Sequence, residues 1–468
     1  MKRMPRLLIL LGGALLWNAC SPLKEYQRPE TELTRALTYR SDQLPADSLS
    51  LAAFSWKEVF PDEYLQQYIS AALDSNMDVR VALKNIDVAD AYLQQAKVIH
   101  SPDLLLNPSV GYQTSSVNTQ FGRILGERQH IVQFNLAFQF SWEADIWGKL
   151  KSRQKAAVAD YLGTVEAHQA IKSNLVANIA SAYYLLLAYD QQRKILTENI
   201  RYREEYLETS QSLKDAGLLT EVAVKQAEAQ LLNVKSRLVG LDYDIELQEN
   251  YIHLLMGKSP DTLLRSDLEN TAIPVSVQTG YASDLLVNRP DIRAAEYDLI
   301  RTFELTNAAQ REFYPSFIIN GNTGLQSVEL DKLFSLNSLF ASITAGLTRP
   351  LLDRRNIKTN YEVNQSNQEI ALLNYRNRLL MAVQEVSNTL AAYEAQSEIV
   401  ALKQQESTAY QAATEYSIEL VNNGLGNYLE IILANEQALN AQLSYIQARF
   451  AQLNAQVQLY RALGGGWR

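Results

Sequence analysis

Two stretches of this chain contain no proline and are long enough to form helices much longer than a globular domain. No proline occurs between Pro108 and Pro260, and none follows Pro350, so nothing in these stretches interrupts a continuous helix. Asp145 and Gly217 are 72 residues apart, and a helix of that length extends about 105 Å. A globular domain cannot enclose such a helix.

The spacing of apolar residues predicts that these helices pair as coiled coils. Apolar residues recur at intervals of three, four and three in both stretches, which is typical of a coiled-coil seam. They are Val176, Ile179, Tyr183 and Leu186 in the first stretch, and Val383, Val386, Leu390 and Tyr393 in the second. A glycine in AGLLT and in NGLGN marks where each helix can stop in left-handed geometry and the chain can reverse. We therefore expect two helical hairpins, at about 145–257 and about 353–464.

The two hairpins belong to a tandem duplication. NPSVGY (107–112) and YPSFII (314–319) align at an offset of 207 residues, as do DAGLLT with NNGLGN and LLMGK with ALGGG. Upstream, NMDVRVA from Asn76 resembles RPDIRAA from Arg289 at an offset of 213. The change of offset implies a difference of six residues before the strands.

Each repeat also contains two candidate strands. The first repeat, at 53–280, has them near 108–113 and 131–142, and the second, at 281–468, has them near 316–324 and 339–348. The clearest is IVQFNLAFQFSW, in which large apolar residues alternate with small or polar ones. The apolar set is Val132, Phe134, Leu136, Phe138, Phe140 and Trp142, and the other set is Gln133, Asn135, Ala137, Gln139 and Ser141.

Alternation with a period of two places these sets on opposite faces of a strand. A strand with one buried face is one explanation, and a transmembrane barrel strand with lipid outside and water inside is the other. Four strands cannot close a barrel, and open edges in lipid leave backbone groups without hydrogen bonds. The barrel explanation therefore requires several copies of the chain.

Three copies suit the polar face of these strands. An eight-stranded barrel has an interior filled by side chains, whereas a twelve-stranded barrel leaves a lumen. Small polar residues such as Gln133, Asn135, Ser316 and Asn320 suit a wet lumen. We expect a mainly α protein with a transmembrane β-barrel, in which a homotrimer closes one twelve-stranded barrel on an α-helical coiled-coil tunnel.

The N-terminus is typical of an export signal. Basic residues precede an apolar run and Cys20, so residues 1–19 are predicted to be a signal peptide. Cys20 is the only cysteine of the chain, and its setting resembles the lipobox of bacterial lipoproteins, whose cysteine is acylated. With Ser21 rather than Asp after it, the resemblance implies a lipid anchor in the outer membrane, and we expect 20–52 to form a tether.

Composition argues against several classes of function. The 468 residues carry a formal net charge of −9, so we expect no nucleic-acid partner. Outside the N-terminus no window approaches the roughly 20 apolar residues of a spanning helix. The sequence MGKS lacks the earlier glycine of a phosphate-binding loop, since Ile252 stands there. The four histidines, His100, His130, His168 and His253, lack the spacing of metal ligands. No pattern of a nucleophile with a base appears either. We therefore expect no catalysis, no metal and no cofactor.

Four separated motifs resemble the outer membrane efflux proteins of the TolC, OprM and NodT type. They are SPLKEYQRPE after Cys20, WEADIWGKLKSR at 142–153, RPDIRAAE at 289–296, and LGGGW ending at Trp467. The resemblance covers essentially the whole chain in order. It implies a trimeric channel-tunnel in the outer membrane that docks an inner-membrane pump through a periplasmic adaptor protein and passes drugs, metals or other solutes outward.

The same resemblance implies roles for individual residues. The periplasmic tip, which meets the adaptor, is expected at Gly217, Leu218, Leu219, Gly424, Leu425 and Gly426. A ring of Leu429 is expected to narrow the entrance, with Glu430 supplying charge nearby. Leu433 and Ala223 stand where relatives often carry aspartate, which argues against a gate of carboxylate rings and favours ordinary helix packing for Leu433.

Two other functions remain open from the sequence. One is an outer-membrane duct for type I protein secretion, which the same fold serves. The other is a lipid-anchored structural coiled-coil protein with no pore. The latter does not require Phe134, Phe138 and Phe140 to face lipid.

Overall fold

The computed structural model describes residues 25–29, 50–271, 285–426 and 428–468. The signal peptide, Cys20 and most of the tether lie outside these ranges, so the predictions made for them stay predictions. The described residues form two compact units. The sheet unit consists of 25–28, 87–162 and 296–374, and the helical unit consists of the other described residues.

The elements of the two repeats follow the same order. The first repeat contains α1 Trp56–Val59, α2 Glu63–Ser75, α3 Met77–Lys97, β1 Asp103–Thr114, α4 Gln120–Leu125, β2 His130–Ala144, α5 Lys149–Asp215 and α6 Glu221–Leu255. The second contains α7 Leu285–Asn288, α8 Pro290–Arg311, β3 Ser316–Ser327, β4 Leu339–Thr348, α9 Asn356–Asn422 and α10 Tyr428–Ala462. Short 3₁₀ turns lie at Leu51–Ala53, Leu268–Asn270, Leu330–Lys332 and Leu336–Ser338.

The lengths of these elements bear out the duplication. Helices α5 and α9 both have 67 residues, and α6 and α10 both have 35. Each of these pairs begins 207 residues apart, whereas α3 and α8, and also β1 and β3, begin 213 residues apart. The change of offset therefore falls after the first strand of each repeat.

The predicted alignment of NPSVGY (107–112) with YPSFII (314–319) is wrong for this reason. Strand β1 begins at Asp103, five residues before the predicted start, and the equivalent of Pro315 is Pro102, which directly precedes that strand. The six-residue difference follows the first strand instead of preceding it. Because six is an even number, the shift leaves each side chain on the same face of a strand, and alternation alone cannot reveal it.

The four strands form one antiparallel sheet in the order β1-β2-β3-β4. The register separates the predicted sets of side chains. One transverse row joins Leu106, Phe138, Thr323 and Ala341, and the next joins Leu105, Gln139, Asn322 and Ser342. The first row belongs to an apolar face that holds the whole apolar set of β2, and the second to a largely polar face, so the predicted alternation is confirmed. Among the described strands, β1 and β4 each pair with a single neighbour.

The predicted seam residues lie in the core of the helical unit. Six of the eight are buried, namely Val176, Ile179, Tyr183, Leu186, Val386 and Leu390. Val383 and Tyr393 are half-buried. Tyr183 also donates a hydrogen bond of 3.0 Å to the Asp62 carboxylate and accepts one of 3.1 Å from the Ser266 backbone. Within the described ranges, no helix combines the length and the apolar character needed to cross a membrane.

Candidate functional site at the hairpin turns

The turn between α5 and α6 follows directly from the sequence AGLLT. The backbone N–H of Gly217 donates to the carbonyl of Lys214, and that of Leu218 to the carbonyl of Leu213, both across 2.8 Å. These two bonds are those of a Schellman motif. Gly217 has φ of +77°, a conformation that favours glycine because it has no Cβ.

The turn between α9 and α10 repeats this geometry. Gly424 N–H donates to Val421 across 3.0 Å and Leu425 N–H to Leu420 across 2.8 Å, while φ of Gly424 is +70°. A Cβ added to Gly426 would lie 3.0 Å from the backbone nitrogen of Val421, so this turn also has little room for a side chain. The predicted reversals at both glycines are confirmed.

Both turns present an apolar residue to solvent. Leu218 is 73% exposed and Leu425 is 79% exposed, whereas Leu219 and Gly426 are half-buried. An apolar side chain stabilises a fold when it is buried. The exposed side chains of Leu218 and Leu425 therefore contribute little to the stability of this chain. The six predicted tip residues therefore contain two apolar side chains available to a partner.

The start of α10 divides its side chains between two sides. Ile431 and Ile432 are buried, while Leu429 and Leu433 remain about half exposed. Glu430 is also exposed. Leu429 and Leu433 are four residues apart and share a face of the helix. The structure thus brings the three predicted constriction residues to the exposed side, including Leu433, for which packing was the favoured expectation.

A buried arginine inside α5 was not identified from the sequence. The Arg203 side chain, 4% exposed, donates to the Glu436 carboxylate across 2.8 Å and to Gln230 across 2.8 Å. Arg237 donates to the same carboxylate across 3.3 Å. Three helices, α5, α6 and α10, are thereby joined within the helical unit. Arg203 stands in a charged run, YREE, so nothing in the sequence distinguished it from a solvated residue.

A second buried arginine lies at the start of α8. Arg289 donates to the Asp291 carboxylate across 2.7 Å, to Glu385 across 2.8 Å and to the Ala462 carbonyl across 3.0 Å. Pro290 occupies the first helical position, where its missing N–H costs no helical hydrogen bond. Asp291 lies in the first turn of this helix, and Arg289 binds both of its carboxylate oxygens.

The charges of this cluster influence one another. Burial raises the pKa of Asp291, but hydrogen bonds from Arg289 and the positive charges of Arg289 and Arg378 lower it more, so its pKa lies below the ordinary value. Burial lowers the pKa of Arg289, and its bonds and charge attraction to Asp291 and Glu385 raise it by more. Asp291 and Arg289 therefore each favour their charged form.

The C-terminal LGGGW packs against this same helix start. Gly464 has φ of +96°, and a Cβ there would lie 2.6 Å from the backbone of Asn288. A Cβ on Gly465 would lie 2.2 Å from the Tyr460 ring. The Trp467 indole donates to the Asn288 carbonyl across 3.1 Å. The glycines are required because three segments meet too closely for side chains.

In the ranges that the structure describes, no set of three or more His, Cys, Asp or Glu residues is placed to hold a metal. What the helical unit presents is a pair of sharp apolar turns, an exposed helix start and two buried charge clusters that join its helices.

Comparison with known families identifies the chain. A family model described as outer membrane efflux protein matches residues 68–258 and 281–465. The chain belongs to the outer membrane efflux protein family. The resemblance carried by the four motifs is confirmed, as is the predicted outer-membrane location. This is a family of transport proteins, not of enzymes.

Relatives of this outer membrane efflux protein align along nearly its whole length. The solvent efflux pump outer membrane protein SrpC of Pseudomonas putida is 27% identical over 474 residues, covering 98% of this chain and 97% of that protein. The probable outer membrane lipoprotein SilC of Salmonella typhimurium is 25% identical over 456 residues, 97% of each. The open-state structure of the MtrE outer membrane channel of Neisseria gonorrhoeae has the same fold, with a TM-score of 0.85, 24% identity, and coverage of 96% and 99%.

Proposed function

We propose that this protein is the outer-membrane channel-tunnel of a tripartite efflux system. It passively conducts drugs or other solutes that an inner-membrane pump and a periplasmic adaptor protein deliver to it. Conduction requires no catalysis and no cofactor. The names of its relatives, which include a solvent efflux pump protein, support efflux as the process.

The four-stranded sheet is the observation that carries this proposal. One face is largely apolar, and among the described strands β1 and β4 each have one unpaired edge. In lipid an unpaired strand edge leaves backbone N–H and C=O groups without hydrogen bonds, and each such group costs roughly several kcal/mol. Pairing β4 of one copy with β1 of the next removes both edges. Three copies then close a twelve-stranded barrel with the apolar face toward lipid and the polar face toward a lumen.

The helical hairpins of three copies form the periplasmic tunnel. Exposed Leu218 and Leu425 are the apolar contacts for the adaptor at the tip. Leu429, Glu430 and Leu433, on the exposed side at the start of α10, line the constriction, where apolar rings restrict water and Glu430 adds negative charge. Widening the ring with Leu429→Ala is expected to raise single-channel conductance, while the matched change Leu247→Ala on an exposed position of α6 leaves conductance unchanged.

Acylation of Cys20 anchors the mature chain to the membrane. This part of the proposal is supported by the lipobox resemblance and by the name of SilC as a probable lipoprotein. Two acyl signals or more give stable anchoring. Mass spectrometry of the N-terminal peptide tests it, since an unmodified Cys20 or an uncleaved signal would contradict the anchor without affecting the channel.

Native mass spectrometry of the complex extracted from outer membranes in mild detergent tests the assembly. Three chains per complex are the expected result. A monomer would leave four strands with open edges and would overturn the channel. Reconstitution of the purified complex in planar bilayers then tests conduction directly, and a trimer without measurable ion current would contradict a passive duct.

A further inference from the structure

The segment that joins the last strand to α9 carries the most exposed apolar side chains in the described part of the chain. This junction segment, 349–355, has the sequence RPLLDRR. Leu351 is 93% exposed and Leu352 is 98% exposed. Two adjacent leucines held in water contribute nothing to folding, so their placement calls for a partner outside the chain.

The backbone of the junction segment is held in an unusual turn. Arg354 and Arg355 have φ of +56° and +68°, and among the described non-glycine residues no others have positive φ. The Asp353 carboxylate accepts from Arg355 N–H across 3.0 Å and from Ile357 N–H across 2.9 Å, which caps α9. Left-handed geometry at non-glycine residues persists only where other contacts enforce it. The turn therefore gives the leucines a defined position.

Two arginines that form no ion pair with the described residues flank the leucines. Arg355 pairs with Glu362 across 3.0 Å. Arg349 and Arg354 are exposed and form no ion pair with any described residue. The junction segment thus combines an apolar pair with two guanidinium groups that no described carboxylate neutralises.

The equivalent segment of the first repeat is built differently. Trp147 stacks on Tyr314 at 5.1 Å between ring centroids, and Lys149 pairs with Glu143 across 2.6 Å. These contacts attach Trp147 and Lys149 to the sheet unit, whereas Ile146 of the same segment remains 55% exposed. The second repeat differs because it exposes two adjacent leucines almost completely and carries two arginines that form no ion pair with any described residue.

We propose that the junction segment is a phospholipid anchor. Leu351 and Leu352 insert into the bilayer leaflet at this end of the sheet, and Arg349 and Arg354 bind the phosphate of an anionic phospholipid. The exposed apolar row of β4, Leu339, Ile343 and Leu347, ends just before this segment. The inference rests on the proposed function, in which that apolar face meets lipid.

The chemistry of the segment matches this ligand. A guanidinium offers a planar pair of donors to phosphate oxygens, and long basic side chains at a membrane boundary direct their charge to the headgroups while apolar neighbours enter the acyl region. A zwitterionic headgroup carries its own ammonium and attracts the arginines less. The anchor therefore prefers phosphatidylglycerol to phosphatidylethanolamine.

Native mass spectrometry of the full chain, titrated separately with these two lipids in mild detergent, tests the anchor. In the double variant Arg349→Gln and Arg354→Gln, we expect the apparent affinity for phosphatidylglycerol to fall about fivefold for each arginine removed. This ratio corresponds to about 1 kcal/mol per basic residue. Binding of phosphatidylethanolamine is expected to stay unchanged. Replacing both arginines by lysine should retain most of the preference, because the charge remains.

Arg123→Gln is the matched control, because Arg123 is exposed and lies in the β1–β2 connection at the opposite end of the strands. An equal loss in this control would show an effect of net charge and would overturn the proposal. Unchanged lipid binding in the double variant would also overturn it. If Leu351→Ser with Leu352→Ser lowers the number of chains per complex without altering lipid preference, a second copy covers the segment and the anchor is wrong.

The same spectra separate this inference from the proposed function. The number of chains in the wild-type complex reports on the channel, and the lipid preference is read independently of that number. A trimer that shows no preference for phosphatidylglycerol rejects the anchor alone.

Discussion

Arg289 donates a hydrogen bond of 3.0 Å to the carbonyl oxygen of Ala462. In the first repeat, Asn76 donates one of 2.8 Å to the carbonyl of Leu255. The donors are 213 residues apart and the acceptors 207, which are the two offsets of the duplication. The contact that joins the end of each hairpin to the preceding helix has therefore been kept in both repeats, although an amide makes it in one and a guanidinium in the other.

Removal of the buried Arg289 charge should destabilise the helical unit strongly. In Arg289→Met, Asp291 and Glu385 lose their common partner, and we expect the free energy of unfolding to fall by about 3–5 kcal/mol, as for other broken buried ion pairs. Urea unfolding followed by circular dichroism measures it. The control Arg301→Met removes partly exposed ion pairs with Asp298 and Asp160 and should cost about 1 kcal/mol or less. Equal effects would contradict the special role of Arg289.

Acid should weaken the same cluster. Because the pKa of Asp291 is lower in the folded than in the unfolded chain, its contribution is fully present above the unfolded pKa of about 4 and is lost as the pH falls through the folded value. We expect the difference in melting temperature between the wild type and Asp291→Asn to be constant above about pH 5 and to shrink toward pH 3. If the difference in melting temperature instead grew on acidification, the pKa of Asp291 would not be lowered by folding.

The two faces of β2 should respond oppositely to charge. Phe138→Arg places a cation on the apolar face and is expected to cost about 2–4 kcal/mol near the membrane midplane, preventing assembly. Gln139→Arg, one residue later on the polar face, should be tolerated. The amount of membrane-inserted oligomer extracted from cells measures both. Tolerance of Phe138→Arg would favour a structural coiled-coil protein without a pore.

Loss of the Glu436 charge should loosen the start of α10. In Glu436→Gln the buried Arg203 loses its anionic partner, and a hydrogen bond to a charged group contributes about 1.5–3 kcal/mol. Local opening should speed hydrogen exchange of nearby α10 amides by about 10- to 100-fold. Exchange followed by mass spectrometry checks this. The control Glu228→Gln removes an exposed pair with Lys225 on α6 and should leave exchange in α10 unchanged.

Two glycines should behave oppositely when replaced by alanine. Gly465→Ala directs a methyl group into the Tyr460 ring and should cost about 1–3 kcal/mol through overpacking. Gly240, inside α6, has nothing within 4 Å of an added Cβ, so Gly240→Ala should stabilise by about 0.5–1 kcal/mol through helix propensity. Thermal unfolding distinguishes them, and destabilisation by both would point to an unrecognised contact at Gly240.

Much of the fold could be predicted because its signals are local. A glycine after a long helix predicts a left-handed stop, and Gly217 and Gly424 have that geometry. The alternation around Phe138 predicts a two-faced strand, and the register bears it out. The six residues assigned to the tip lie at or beside these two turns, while their contact with an adaptor stays a prediction.

The rest depends on segments far apart in the chain. Arg203 and Glu436 are 233 residues apart, and no local pattern marks them as partners. The alignment of the first strands was wrong because an even shift leaves a period-two pattern unchanged.

The sequence by itself determined the duplication, the lengths of the helices, the turns and the two faces of the strands, because periodicity and backbone preference act over a few residues. Only the tertiary structure decided where the six-residue difference lies, which carbonyl Arg289 reaches, and that Leu351 and Leu352 stay uncovered within the chain. Those features arise from packing between distant segments, whose geometry no short stretch of sequence contains.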